Sequence, residues 1–428
     1  MRPPHARSIV AALAALAALG WAVRGAASPA TFLAAVALAW VAGWMAAAAW
    51  SRGSCLEWAK RFLLVHATVA LLVTLLEIPA LLGMVDYRLL FRTPILSPAR
   101  NPRYLADPDL LFIRRPHDQQ RGVVVGGTMS FLYRVVTPTV IRYDLRYDRH
   151  GFRNDRDVDS AAIAVIGDSF VEGAEVAAES TTTAVLGRLT GLRAVNLGQV
   201  QYGPRQERVV LERFALPLRP AFVVWLFFEG NDLDDLREYD AAIRDLEAFV
   251  GARHGFIPRS FTRNALATLV FLAGNPRPSG MSRSGVYAAG ERRDTLYFLY
   301  EGRALGGLDA AALDSTVAIL ADADRRAHEG GARLLVAFVP TKYRTYHGLV
   351  SAPEGSAAAD WVLNDLPARL GERLAAQGIE YLDLTDALRH AARAGTHPYL
   401  LDDSHWSAAG HRIAAEAIAR RLIPGAGE

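Results

Sequence analysis

Residues 161–173 read AAIAVIGDSFVEG, an apolar run that leads into Gly-Asp-Ser. A short continuous apolar run is typical of a parallel strand buried on both faces, and it predicts a strand over 161–166. Further strands are predicted at 194–197, 221–228, 334–339 and 381–384, and helices at 180–189, 204–216, 309–330 and 407–422. This alternation predicts an α/β fold with a parallel sheet and helices on both of its faces.

Open parallel sheets form their functional sites beyond the carboxyl ends of the strands. In this sequence Ser169 follows the first predicted strand, and Asn231 follows the third. The turn after the second strand and the segment before the last helix add Gly198, Gln201, Asp402, Asp403 and His405. We therefore expect all of these residues to meet at one edge of the sheet.

These residue types match the needs of acyl transfer. A hydroxyl nucleophile requires a base within hydrogen-bond reach and a carboxylate that orients the base. We predict that Ser169 is the nucleophile and His405 the base, and the sequence leaves Asp402 and Asp403 open as the carboxylate. Each of these short motifs alone is weak evidence for catalysis, because Gly-Asp-Ser and Asn-Asp also occur in ordinary turns and helix caps. Their joint occurrence in order favours the catalytic interpretation.

The developing oxyanion in such a reaction needs preorganised hydrogen-bond donors. The backbone N–H of Ser169 is one candidate, and the side-chain amide of Asn231 is another. The turn after the second strand offers a third donor, from the backbone of either Gly198 or Gln201.

Four stretches of sequence carry a resemblance to a known family. They are Gly167-Asp168-Ser169, the glycine-containing turn after the second strand, Glu229-Gly230-Asn231-Asp232, and the segment from Asp402 to His405. Together they resemble the four sequence signatures of the SGNH (GDSL-like) hydrolase superfamily, over about residues 161–422. The resemblance implies a flavodoxin-like three-layer α/β fold with five parallel strands. It also implies a serine esterase or acyltransferase, with Ser169 as nucleophile, Asn231 as oxyanion asparagine and His405 as base.

This sequence departs from the family pattern in three places. Gly230 stands next to Asn231 rather than two positions before it. In the family, the turn after the second strand donates a backbone N–H to the oxyanion. Gln201 occupies that position here, and its N–H can act as the donor only if its φ is allowed. Asp402 fits Asp-x-x-His, whereas Asp403 fits an Asp-x-His-Trp pattern that resembles alginate-type polysaccharide O-acetyltransferases. The stretch 339–342, Val-Pro-Thr-Lys, also resembles that branch.

Two other hydrolase classes fit less well. An ordinary α/β-hydrolase requires Gly-x-Ser-x-Gly, and residues 167–171 lack the second glycine. A metal hydrolase would need ligands drawn from His397, Asp402, Asp403, His405 and His411, which have no fixed ligand spacing. A non-catalytic carbohydrate-binding module of the same fold is a third alternative, and the complete set of catalytic residue types argues against it.

Three apolar stretches open the chain, at 9–23, 26–50 and 62–85. A helix needs about 20 apolar residues to cross the hydrocarbon core, which the second and third satisfy. The first is short, and a signal peptide is the alternative reading, but we favour three transmembrane helices. Glu77 inside the third stretch is costly in a membrane, and it marks either a functional site or a contact with another helix.

Basic residues set the expected orientation of these spans. They lie before the first span and between the second and third, at Arg2, Arg7, Arg52, Lys60 and Arg61. Both segments should therefore face the cytoplasm, which places everything after Asp86 outside the cytoplasm, in the periplasm.

Three regions are expected along the chain. Residues 1–86 form the membrane anchor, and 87–160 form a β-rich lead-in with strand-like pieces at 122–125 and 135–147. Residues 161–428 form the catalytic domain, with an insertion at about 232–305 that interrupts the alternation of strands and helices.

Composition excludes several other functions. The 428 residues carry a net charge of +3 without a long basic run, so no nucleic-acid partner is expected. Cys55 is the single cysteine, which rules out an intrachain disulfide and a cysteine-based zinc site. No cofactor is expected.

These observations predict a membrane-anchored, extracytoplasmic serine O-acyl esterase or O-acyltransferase that acts on a cell-envelope glycan. A membrane protein that donates the acyl group is a partner to consider. The alternative is a lipid or small-ester hydrolase of the same fold, because hydrolase and transferase share their catalytic groups.

Overall fold

The computed structural model describes residues 40, 44, 55–91, 101–246, 256–274, 278–289 and 292–423. The first predicted span lies outside the described residues, as does the second apart from Trp40 and Trp44. The described chain forms two compact units. One unit contains the described residues up to 102 together with 256–274, and the other contains 103–246 and the described residues from 278 onward.

The strands, in chain order, are β1 Tyr104–Asp107, β2 Leu111–Arg114, β3 Gln119–Val125, β4 Val140–Arg146, β5 Ile163–Gly167, β6 Ala194–Gly198, β7 Phe222–Phe228, β8 Ser284–Ala289, β9 Arg292–Tyr297, β10 Arg333–Val339, β11 Val350–Ser351 and β12 Glu380–Asp383.

The α-helices are α1 Cys55–Leu81, α2 Thr128–Leu132, α3 Ser169–Glu172, α4 Thr182–Thr190, α5 Pro204–Val210, α6 Asp232–Ala242, α7 Phe256–Arg259, α8 Phe261–Gly274, α9 Gly307–Glu329, α10 Lys342–Tyr346, α11 Leu366–Ala376, α12 Thr385–Arg393 and α13 Ala408–Leu422. A π-helical turn, Leu211–Ala215, and a short 3₁₀ turn extend α5.

The larger unit is built on a parallel sheet in the order β12-β10-β7-β5-β6. Every residue of β5 is buried, as its unbroken apolar run predicts. Each of these five strands begins and ends within two residues of its predicted position. The predicted five-stranded parallel sheet is therefore confirmed.

Successive side chains of the strands enter two separate cores, because strand side chains alternate between the faces of a sheet. Trp225 and Phe227 join one core, where they pack with residues of α9 and α11. Leu226 and Phe228 join the other, with residues of α4, α12 and α13. The sheet is thus the middle of three layers.

Antiparallel pieces surround this sheet. The lead-in forms two hairpins, β1–β2 and β3–β4. The second corresponds to the two predicted strand-like pieces, while the first was not predicted. β8 and β9, from the end of the insertion, pair with β11 in a small sheet of the order β11-β8-β9, which was not predicted either.

The smaller unit contains α1, α7 and α8. Among the described residues, the stretch Leu56–Leu81 of α1 is long and apolar enough to cross a membrane, with a mean hydropathy of 2.0 over its most apolar part. It corresponds to the third apolar stretch of the sequence.

Candidate active site

Ser169 begins the short helix α3 directly after β5. The preceding residue, Asp168, is buried and caps this helix, because its carboxylate accepts the backbone N–H of Phe170 at 2.9 Å. Gly167 is needed at the end of the strand, since a Cβ there would lie 2.6 Å from Val171. The tight turn holds the Ser169 hydroxyl at the sheet edge.

His405 lies between Ser169 and Asp403. The distance from His405 Nε2 to Ser169 Oγ is 2.9 Å, and the distance from His405 Nδ1 to Asp403 Oδ1 is 2.6 Å. The second oxygen of Asp403 accepts the backbone N–H of Thr128 at 2.6 Å and its hydroxyl at 3.0 Å. The structure thus places a hydroxyl, an imidazole and a fully hydrogen-bonded carboxylate in one continuous series of hydrogen bonds.

Asp402 is directed elsewhere. Its Oδ2 accepts the N–H of Gly127 at 3.0 Å, the hydroxyl of Ser130 at 2.6 Å and the N–H of Thr139 at 3.1 Å. All three donors belong to the lead-in. Of the two carboxylates that the sequence left open, only Asp403 is hydrogen-bonded to His405, while Asp402 fastens the lead-in beside the site.

A buried lysine that we had not predicted as a site residue holds the segment that carries Asp403 and His405. Lys342 Nζ donates to the carbonyls of Leu400 and Leu401 at 2.6 Å, of Tyr297 at 2.9 Å and of Asp403 at 3.2 Å. Burial lowers the pKa of Lys342 to about 7, and the nearby carboxylates only partly offset this effect. The Val-Pro-Thr-Lys stretch was the signal for it.

A second unpredicted residue, Glu175, faces the same imidazole nitrogen as Asp403. Its Oε1 lies 3.4 Å from His405 Nδ1, and its buried Oε2 has no hydrogen-bond partner among the described residues. Burial raises the pKa of Glu175 to about 7. Glu175 follows α3 in a turn that Arg153 holds by donating to the carbonyls of residues 172, 173 and 176.

The environment of His405 favours its charged form. Burial alone would lower the pKa of its imidazole, but the carboxylates of Glu175 and Asp403 more than offset this and raise it. Burial likewise works against the charged form of Asp403, yet His405 and the hydrogen bonds hold the pKa of Asp403 well below its usual range. The pair of Asp403 and His405 therefore favours a negatively charged carboxylate beside a protonated imidazole.

Backbone donors for an oxyanion lie at two positions. The N–H of Ser169 has no intrahelical acceptor, because Ser169 is the first residue of α3. Gln201 adopts a left-handed φ of 61°, which turns the backbone sharply after β6. By contrast, the N–H of Gly198 already donates to Asn196 Oδ1 at 2.9 Å, so it is not available to an oxyanion. Gln201 rather than Gly198 remains the candidate of this turn.

Asn231 stands at the end of β7, before α6. Its Nδ2 donates to Asp235 Oδ2 at 2.6 Å, and because an amide carries two N–H bonds the second stays available. Asp235 is largely buried, and burial raises its pKa well above the usual value. Asp235 therefore fixes the orientation of the Asn231 amide.

Glu172 links the lead-in to the turn that contains Gln201. Its Oε2 accepts the N–H of Val200 at 2.9 Å, and its Oε1 accepts the hydroxyl of Tyr147 at 2.5 Å. Arg114 pairs with the same carboxylate at 3.3 Å and is itself stacked between two tyrosine rings. This buried network holds the turn in place from outside the central sheet.

The residues proposed for a metal hydrolase do not converge. His397 pairs with Asp294 at 2.8 Å, away from His405. His411 Nδ1 lies 2.9 Å from the hydroxyl of Thr182, and burial lowers the pKa of His411 to about 3. Within the described ranges, no group of His, Cys, Asp or Glu side chains is arranged to hold a metal ion.

A cavity of about 330 Å³ lies beside Asn231. Its walls are mostly polar and include aromatic rings, and neither Ser169 nor His405 is among the lining residues. The lining residues include Tyr300, Arg303 and Arg344.

The five-stranded parallel sheet and the positions of Ser169, His405 and Asp403 give an SGNH hydrolase-like α/β fold with these three side chains hydrogen-bonded in series. Residues 297–426 match the family model described as SGNH hydrolase-like domain, acetyltransferase AlgX, which confirms the resemblance that the motifs predicted. The matched range includes Asp403 and His405 but not Ser169 or Asn231. A search of curated proteins found no relative.

The chain is similar to solved structures of two bacterial proteins. A catalytic mutant of an acetylxylan esterase from Geobacillus stearothermophilus is 14% identical, with 62% of this chain and 95% of that chain covered, at a TM-score of 0.33. A GDSL-like lipase from Bacteroides thetaiotaomicron is 12% identical, with 61% and 88% covered, at a TM-score of 0.31.

Proposed function

We propose that this protein is a membrane-anchored, extracytoplasmic serine O-acyltransferase that modifies hydroxyl groups of a cell-envelope glycan through an acyl-enzyme. The observation that carries the proposal is the continuous chain from Ser169 through His405 to Asp403, with contacts of 2.9 and 2.6 Å. Distances of this size are those required for a base to take the nucleophile's proton.

The proposed reaction begins when Ser169 Oγ attacks the carbonyl carbon of an acyl donor and passes its proton to His405 Nε2. Asp403 accepts the Nδ1–H of the imidazolium and stabilises its charge. The N–H groups of Ser169 and Gln201 and the amide of Asn231 stabilise the oxyanion. His405 then protonates the leaving group, and an acyl-serine results.

In the second half-reaction a hydroxyl group attacks the acyl-serine while His405 removes its proton. The bond between the acyl carbon and Ser169 Oγ then breaks, and His405 returns the proton to Ser169. Water as the attacking group gives hydrolysis, and a sugar hydroxyl gives transfer. Transfer to a glycan is supported by the match of residues 297–426 to an acetyltransferase family model and by the carboxylate at Asp403, the position of the acetyltransferase-like pattern.

The cavity beside Asn231 also supports a sugar acceptor. Its arginines are paired internally, Arg344 with Glu229 at 2.5 Å and Arg303 with Asp309 at 2.6 Å. The cavity is therefore polar without a large unpaired charge, and Tyr300 adds an aromatic surface. Such a lining suits a hydroxyl-rich ring better than an acyl chain, which binds in apolar clefts.

Placement at the membrane is supported by α1 and by the basic residues that precede it. With α1 crossing the bilayer in the orientation of the positive-inside rule, the catalytic unit faces the periplasm. This location gives it access to envelope glycans.

The proposal is tested with the full-length protein in detergent. Acetyl transfer from an activated acetyl ester to polysaccharide fragments is measured by mass spectrometry, beside release of free acetate. We expect acetylated fragments with the wild-type protein and none with Ser169→Ala. Acetate release that is unchanged by any glycan identifies an esterase instead, and Ser169-independent transfer overturns the mechanism.

A further inference from the structure

Glu77 has polar partners from a distant part of the sequence within the smaller unit. It lies in the apolar helix α1, one turn before the end at Leu81. Its Oε1 accepts the hydroxyl of Ser260 at 2.8 Å and the N–H of Thr262 at 2.7 Å, and its Oε2 accepts the N–H of Phe261 at 3.0 Å. Glu77 thus satisfies the otherwise unpaired N-terminus of α8.

The helix that Glu77 caps exposes apolar side chains, as α1 does. On α8, Leu266 is 42% and Leu269 is 56% exposed, while Leu71 on α1 is 60% exposed. α8 packs against α1, and both helices expose large apolar side chains. Exposed apolar side chains are unfavourable in water and favourable in the hydrocarbon layer of a membrane.

Several polar side chains on both helices form their hydrogen bonds within the same helix or the turn before it, as an apolar surrounding requires. Asn264 Nδ2 donates to the carbonyls of Pro258 and Ser260 at 2.9 and 2.7 Å. The hydroxyl of Thr268 on α8 donates to the carbonyl four residues earlier, as do those of Thr68 and Thr74 on α1, each at 2.8 Å. None of these side chains depends on water for its hydrogen bond.

Aromatic side chains surround the start of α8. The ring of Phe261 lies 5.2 Å from that of Tyr87 and 5.4 Å from that of Phe91. Tyr87 in turn donates its hydroxyl to the carbonyl of Leu76 at 2.8 Å. Aromatic residues of this kind concentrate where a membrane protein passes from the hydrocarbon layer to water.

We infer that residues 256–274 form a second membrane-inserted element, which enters the outer leaflet beside α1 with Glu77 as its polar anchor. The 14 residues of α8 extend for about 21 Å, which is too short to cross a hydrocarbon core of about 30 Å. α8 therefore stays within one leaflet, and its partner is the acyl-chain layer of a phospholipid bilayer. The inference rests on the membrane placement of α1 in the proposed function, and not on its chemistry.

The test uses membranes that contain the full-length chain with Cys55→Ser and one new cysteine. Leu266→Cys and Leu269→Cys report on α8, Leu71→Cys is the lipid reference, and Val136→Cys, at a site 79% exposed, is the aqueous reference. A membrane-impermeant maleimide needs an ionised thiol and therefore labels slowly in lipid. We expect both α8 positions to label at least about tenfold more slowly than Val136→Cys.

Labelling of the α8 positions as fast as Val136→Cys, with Leu71→Cys still protected, overturns the inference and leaves the anchor intact. Fast labelling of Leu71→Cys overturns the membrane span and the inference together, while acetyl transfer by the same protein remains a separate readout.

A second variant tests the role of Glu77 itself. Glu77→Gln replaces a charged acceptor of three hydrogen bonds by a neutral one, so we expect labelling at Leu266→Cys to rise severalfold. Glu57→Gln, near the other end of α1 and 54% exposed, is the matched control and should change nothing. Equal labelling in the two variants contradicts the anchoring role.

Discussion

At the scale of single residues, the adjacent carboxylates Asp402 and Asp403 have unlike surroundings. Asp403 contacts His405, whereas Asp402 accepts three hydrogen bonds from the lead-in. From the sequence, either aspartate could be the one that orients His405. The assignment depends on where residues 127–139 pack, which the sequence does not show. The resemblance to the Asp-x-His-Trp pattern was the better guide to the geometry.

We expect Asp403→Asn and Asp402→Asn to differ in kind. Asp403→Asn removes the charge that supports the imidazolium and should lower turnover by about 10⁴, with little loss of stability. Asp402→Asn can keep an oxygen for the three donors, but it places an amide N–H group at the buried Oδ1 position, which has no hydrogen-bond partner among the described residues. The substitution should therefore lower the free energy of unfolding by about 1–3 kcal/mol, with turnover largely kept in the folded fraction. Turnover and thermal unfolding of both variants check this. A larger loss of turnover in Asp402→Asn would reverse the assignment.

Glu175 lay beyond prediction from sequence, because its place beside His405 depends on a turn held by Arg153. Its functional effect is expected in the pH dependence of turnover. His405 acts as a base only when neutral, and its imidazole faces the carboxylates of Glu175, Asp403 and Asp168, which raise its pKa. Activity should therefore rise with pH through a midpoint above that of a free imidazole.

Glu175→Gln removes one of these carboxylates while it keeps the size of the side chain. The pKa of His405 should fall, so the acidic limb of the pH–rate profile should move to lower pH. Glu179→Gln, at an exposed position a few residues on, is the control and should leave the profile in place. An unshifted profile for Glu175→Gln would mean that this carboxylate does not influence the base.

At the scale of elements, strands with unbroken apolar sequences were the most predictable, because burial on both faces leaves a clear pattern. β8 and β9 were missed, since a small antiparallel sheet at the surface contains polar residues such as those of Arg292–Tyr297. The predicted helix 204–216 is correct in position but becomes a π turn from Leu211, and local sequence does not reveal such a change of hydrogen bonding.

The turn after β6 is proposed to stabilise the oxyanion through a backbone N–H group and not through a side chain. Gln201 has a left-handed φ, and only its backbone N–H is proposed to act. Gln201→Gly should therefore keep near-normal turnover and relieve strain, whereas Asn231→Ala removes a side-chain donor and should cost about 10² to 10³ in turnover. Steady-state kinetics on folded protein compare the two. A large loss in Gln201→Gly would show that its side chain takes part.

At the scale of the whole molecule, segments that are far apart in the sequence belong to the same structural unit. The sequence predicts the apolar character of α1, and the insertion at about 232–305 stays a prediction from the interrupted alternation of strands and helices. That residues 256–274 join the unit of α1 was not foreseeable, because it depends on Glu77 meeting a helix N-terminus far along the chain.

The proposed orientation of the chain rests on the distribution of its basic residues. A reporter enzyme that is active only outside the cytoplasm, fused after Glu428, should be active, and a reporter that fluoresces only in the cytoplasm should be dark at the same site. Fusions after Ser54, between the second and third predicted spans, provide the opposite control. An inactive periplasmic reporter after Glu428 would reverse the topology.

The central claim is that Ser169 becomes acylated with the help of His405. The most direct measurement is the mass of the intact protein after brief exposure to an activated acetyl ester, followed by location of the modified residue. We predict one added acetyl group on Ser169 in the wild type and in Ser351→Ala, a control at an exposed serine. Acylation should be absent in Ser169→Ala and strongly slowed in His405→Ala. An acetyl group that forms at the same rate in folded Ser169→Ala would contradict the account.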